Sequence, residues 1–202
     1  MLDQSQITRN STLAIVLGSA LFTYWLILPV VLGVYSDVFD LQEDQLGVLA
    51  SIYSLGVFIT TLTSTLWITW FSRKHQVMVG ALLSTVGFSL LTGHATGDNL
   101  TLLYHLISSL GLGIAYAAMM AVLADSINPT RSFALLFFLQ VVIGAMASLV
   151  LTRAVSVEHT LLVVYTSMAV IGLLSALLAV KFQEPDNTSE AVGARPAHLG
   201  WI

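Results

Sequence analysis

Cysteine is absent from this 202-residue chain. That excludes a disulfide, a thiolate metal site and a cysteine nucleophile. Charge is scarce too: 9% of residues are Asp, Glu, Lys or Arg, where a soluble domain carries about 25%. No basic patch is large enough for nucleic acid. No Asp or Glu stands in the middle of an apolar run, so no carboxylate is available there as a proton carrier. No His, Asp and Glu spacing suits a metal, and neither a metal nor a cofactor is expected. The opening MLDQSQITRNS carries Asp3 ahead of Arg9, unlike the basic segment of a signal peptide.

What is abundant is apolar surface, at 56% of residues. Six apolar runs stand out: Thr12 to Tyr35 (interrupted by Pro29), Gln45 to Phe71, Gln76 to about Gly93, Leu100 to Ala124, Ser132 to Thr152 and Thr160 to Phe182. About 20 residues cross a bilayer as a helix. Lipid offers the backbone no hydrogen bonds, so each run must satisfy its own as a helix. The fold class is therefore all-α, a polytopic membrane protein of six transmembrane helices. Three regions follow: a cytoplasmic segment 1–11, a bundle 12–182 and a disordered polar tail 183–202.

Orientation comes from the connections. Arg9, Arg73, Lys74, Arg131 and Lys181 gather at one side. The other side has Arg153 against Asp37, Asp40, Glu43, Asp44, Asp98 and Glu158. Basic loops stay inside, so both termini are expected in the cytoplasm, with the bundle in the plasma (inner) membrane. Trp67, Trp70 and Tyr104 fall near the expected interfaces. Small residues recur every four positions at Ser109, Gly113, Ala117 and Ala121, at Gly144 and Ser148, and at Gly172 and Ala176. These stripes let neighbouring helices approach closely.

The second run carries a resemblance. From Leu41 it reads LQEDQLGVLASIYSLG and ends on the basic turn Arg73-Lys74-His75. This is similar to the second helix of a major facilitator superfamily transporter and the turn that follows it. That family writes the turn as G-x-x-x-D-R/K-x-G-R/K-R/K. The matching positions here are Thr65, Thr69, Trp70, Ser72, Arg73 and Lys74, of which the final two agree. The stretch ADSINPTRSFALLF resembles the family's link between its fourth and fifth helices, with Arg131 at its basic position. The resemblance covers residues 12–182. It implies a half bundle of two three-helix repeats, working by alternating access on a small solute. It also implies a second bundle, from a homodimer, a partner chain or a second six-helix half.

Several side chains inside the runs are candidates for the solute site, because transporter sites lie near the midplane. They are Tyr24, Trp25, Tyr53, His105, Tyr116 and Gln140. His105, Ser109 and Tyr116 share one helix face. His105 reads as a solute ligand or proton carrier, or as a hydrogen-bonded histidine near its helix end. Gln140 must find a partner, as interhelical glue or as cavity lining. The tyrosines and Trp25 read as core packing or as ligand contacts. Arg73, Lys74, Asp125 and Arg131 read as a gate latch or as solvated topology signals.

Enzymatic readings have little support. Asn128-Pro129-Thr130 is a single copy at a loop, where the water-channel element needs two at the membrane centre. Ser19 and His105 lack the sequence context of a serine protease. The chain is therefore expected to be a transporter bundle and not an enzyme. The competing expectation is a non-transporting membrane assembly protein or a transporter remnant.

Overall fold

Residues 3–183 are described in a computed structural model. The predicted tail from residue 184 onward lies outside the described residues. Seven helices make six spans. The first span holds two of them, α1 (Gln4–Leu21) and α2 (Thr23–Phe39). The others are α3 (Glu43–Trp67), α4 (Arg73–Gly93), α5 (Asn99–Ala124), α6 (Pro129–Ala154) and α7 (Val157–Ala179). No strand occurs among the described residues.

Polar residues set the helix starts. Asp3 and Gln6 form a reciprocal capping box, so α1 begins at Gln4, ahead of the apolar run that opens at Thr12. Gln42 and Gln45 do the same for α3. Asp98 accepts from the Thr101 N–H at the start of α5. Asn128 accepts from the Arg131 N–H, and Pro129 occupies the first turn of α6, where its missing N–H has no cost. Asp40 ends α2 in the left-handed conformation, at φ 53°.

The first span breaks at Phe22, not at Pro29. Helix α2 runs through Pro29 without interruption. At Phe22 the bonding tightens: the Trp25 N–H donates to the Phe22 carbonyl, three residues back. The hydroxyls of Ser19 and Thr23 donate to the carbonyls of Ile15 and Ser19, at 2.7 and 3.1 Å. Such back-bonding bends a helix. Pro29 is exposed, where its crowding of the preceding turn meets no packed neighbour.

Helix α5 is the axis of the bundle. It packs against α3, α4 and the first span, and α4 in turn packs on α7. Of its most apolar window 61% is buried, against 22% for α3 and for α6. The first span packs on α6 as α5 packs on α3. Those pairings exchange when spans one to three are laid on spans four to six, as two three-helix repeats require.

Water does not drive helices together in lipid, so close packing of small residues does. The stripe Ser109 and Gly113 faces Gly56 and Thr60 of α3. A second stripe on α5, Ser108, Gly111 and Ala115, faces Gly80, Ser84 and Gly87 of α4. A Cβ on Gly80 would stand 2.5 Å from the Ala115 nitrogen, and one on Gly111 would stand 2.6 Å from the Gly80 carbonyl oxygen. Only glycine fits at that crossing. Gly144 meets Leu26, and Gly172 meets Thr85.

The two ends of the described chain are clasped. The Asn10 amide donates to the Gln183 carbonyl at 2.7 Å and accepts from the Gln183 N–H at 3.0 Å. Both ends therefore sit at one face of the bundle. That face also carries Arg131, whose cavity is shared with Thr8, Ser11 and Thr12 of α1.

Candidate functional site: two aromatic clusters on one helix

The candidate residues divide between two clusters, both anchored on α5. The first surrounds His105, which is fully buried. Its Nδ1 lies 2.8 Å from the Thr101 carbonyl oxygen, which can only accept, so Nδ1 carries the proton. Nε2 is then an acceptor. The Tyr24 hydroxyl of α2 donates to it at 2.8 Å. The Tyr165 hydroxyl of α7 stands 3.3 Å from the same nitrogen and donates to the Tyr35 oxygen at 2.9 Å. Three helices are thus joined through one imidazole.

Aromatic rings close the cage. Tyr24, Tyr35, Tyr53 and Tyr165 have ring centroids 5.8 to 6.4 Å from that of His105. Phe88 of α4 packs on Tyr24 at 4.8 Å and on Tyr165 at 6.2 Å. Tyr24, Tyr35, Tyr53 and Tyr165 are all fully buried. The Tyr53 hydroxyl has no hydrogen-bond partner among the described residues. A buried hydroxyl left so costs about 1–3 kcal/mol.

The second cluster lies further along α5. Tyr116 is half-buried, and its hydroxyl accepts from the Gln140 amide of α6 at 3.0 Å. Phe22 stacks on Tyr116 at 4.7 Å, and Trp25 on Phe22 at 5.7 Å. Trp25 also approaches Tyr53 at 6.0 Å, so the two clusters touch. Here an amide, a phenol and two aromatic faces stand together, with Phe22, Trp25 and Tyr116 partly open. The groups this surface offers are ring faces for stacking and one or two directional hydrogen bonds.

The face drawn through His105, Ser109 and Tyr116 therefore splits. His105 points at α2 and α7, Ser109 meets Gly56 of α3, and Tyr116 meets Phe22 and Gln140. Tyr35, Tyr165, Phe88 and Phe22 were not among the sequence candidates. Tyr165 lies within the sixth apolar run, and a polar-tipped ring within a span is a signal that would have found it.

The charged candidates lie at the ends. The Arg73 guanidinium donates to the Ile68 carbonyl at 2.6 Å, and the Gln76 amide donates to the Ile68 and Phe71 carbonyls. These bonds close the exposed end of α3. Lys74 is half-buried in the first turn of α4. Asp125 caps α5 and is exposed, as is Arg131. No ion pair joins Asp125 to Arg131 among the described residues. At the opposite end, Asp98 pairs with His94 at 2.9 Å. The Thr101 N–H, and after it the His94 ring, hold the Asp98 carboxyl well below the usual carboxylate range.

Among the described residues no three His, Asp and Glu side chains are grouped to hold a metal. A family profile described as Major Facilitator Superfamily matches residues 13–202. Neither the curated proteins nor the solved structures yielded a match to this chain.

Proposed function

This chain belongs to the Major Facilitator Superfamily, and from that premise we propose that it carries a small solute across a membrane by alternating access. The single observation that carries the reading is the Tyr116–Gln140 pair beside Phe22 and Trp25, on helices of both three-helix repeats. In this family the path runs between two six-helix bundles. The low burial of α3 and α6 supports a second bundle against these helices, as a homodimer or a partner. The solute is neutral or weakly polar, since no Lys or Arg stands in either cluster to hold an anion.

The basic residues Arg9, Arg73, Lys74, Arg131 and Lys181 support an inward-facing end that includes both described chain ends. The placement that follows is the plasma membrane with both termini in the cytoplasm. Arg73, Lys74, Asp125 and Arg131 then lie at the inner mouth, and a latch among them in another access state belongs to the same proposal.

Uptake by purified protein in sealed vesicles tests the proposal, against a panel of neutral sugars, amphipathic drugs and small carboxylates. Saturable uptake of one class, weakened in Gln140→Leu, supports it. Crosslinking in the same vesicles should trap a dimer through α3 or α6. A dimer with no uptake across the panel would favour a membrane assembly protein instead.

A further inference from the structure

The His105 cage has a property that packing alone does not require: its hydrogen bonds run in one direction. Nδ1 is committed as a donor to Thr101, Nε2 has one lone pair, and the Tyr24 hydroxyl fills it. We propose that His105 is a proton-operated pin, which holds α2 against α5 and α7 while neutral and releases α2 when Nε2 takes a proton.

The step balances simply. A hydronium O–H bond breaks and leaves water behind, the proton bonds to the Nε2 lone pair, and no other covalent bond changes. Nε2 becomes a donor, so Tyr24 must turn its own O–H away and accept instead. Its displaced hydrogen then needs an acceptor. Tyr53 packs 4.8 Å from Tyr24, ring to ring, and its oxygen is buried without a partner among the described residues. That oxygen is otherwise an unexplained defect in a well-satisfied core.

Charge makes the reversal release the pin. The groups facing His105 are Tyr24 and Tyr35 of α2, Tyr53 of α3 and Tyr165 of α7, with Phe88 of α4 behind them. None is a carboxylate. On its own helix the nearest charge is Asp98 at the N-terminus, about two turns away and already engaged by His94 and Thr101. Ring faces attract an imidazolium. That attraction falls short of what an ion loses when it leaves water. Proton binding is therefore linked to the cage opening to solvent. The break at Phe22 gives α2 a hinge of its own, although α2 packs on α6 as α1 does and must slide on it to open the cage.

The pin serves the alternating-access reading, yet its test needs no solute. Because the chain has no cysteine, a single Val31→Cys in the full-length protein reports opening of α2 without background. Val31 is fully buried between Tyr24 and Tyr35 in the sequence. Its labelling rate by a small water-soluble thiol reagent in vesicles is divided by that of exposed Asn99→Cys at the same pH. The ratio should rise about tenfold from about pH 8 to about pH 5. His105→Gln should abolish the rise, and His94→Gln at the exposed loop should retain it. Tyr53→Phe, which breaks no bond in the neutral cage, should shrink it severalfold. A ratio that ignores pH, or that rises equally in His105→Gln, overturns the pin. Absent uptake with a normal labelling response would fault the transport reading alone.

Discussion

His105 and Tyr116 stand on the same helix and near the same angle, yet they live in opposite surroundings. His105 is sealed by five rings from four helices and has both nitrogens occupied. Tyr116 is half open and shares one bond with Gln140. The difference lies in the neighbours. Near His105, α5 is flanked by α2, α4 and α7. Near Tyr116 it meets the Phe22 break and α6, the less buried span. A helical face therefore does not define an environment. The sealed cluster suits a structural or switching role, and the open one suits contact with a solute.

Gly111 lies between the two clusters, and changing it is the most direct way to break both at once. Gly111→Leu would force α4 and α5 apart where a Cβ already stands 2.6 Å from the Gly80 carbonyl oxygen. A loss of about 3 kcal/mol is expected. The check is loss of the monodisperse peak in mild detergent and a lowered Tm, with Gly33→Leu, where a Cβ meets open space, as the control.

A sharper comparison pits His105→Leu against Gln140→Leu. His105→Leu strands the Tyr24 hydroxyl in a dry core, at a cost of about 1–3 kcal/mol in stability, while Tyr165 keeps its bond to Tyr35. Gln140→Leu removes a bond to a half-open phenol, so Tm should change little while the KM for the transported solute rises about tenfold, or about 1.4 kcal/mol. Equal Tm losses, or equal transport losses, would erase the distinction between the clusters.

The smallest effect is expected at Asp98, outside both. Its carboxyl is held below its usual range by the Thr101 N–H and His94. A depressed group stabilises the fold above its unfolded pKa and loses that contribution as pH falls through the folded value. Asp98→Asn should therefore lower Tm slightly at neutral pH, with the gap closing only in strong acid. Between pH 8 and pH 5 the carboxylate stays ionised, so the labelling response assigned to His105 is not its doing.

Much of the fold was legible in the composition. Six apolar runs gave six spans because lipid leaves the backbone no other choice. The ends were less so: the Asp3–Gln6 capping box starts α1 in polar sequence, where hydropathy is blind. Pro29 drew attention from the real break at Phe22, which depends on hydroxyl back-bonding by Ser19 and Thr23. In the two clusters, Tyr24, Trp25, Tyr53, His105, Tyr116 and Gln140 were visible as polar or aromatic groups within runs. Their partners were not. Tyr35 and Tyr165 reach His105 from distant runs, and no periodicity within one helix reports which other helix faces it.

The most direct measurement is two-sided accessibility of Trp25→Cys, which Phe22 links to Tyr116, in sealed vesicles of known orientation. Alternating access predicts labelling from each side, with added solute raising one rate as it lowers the other. Labelling confined to one side under every condition, with and without solute, would contradict it.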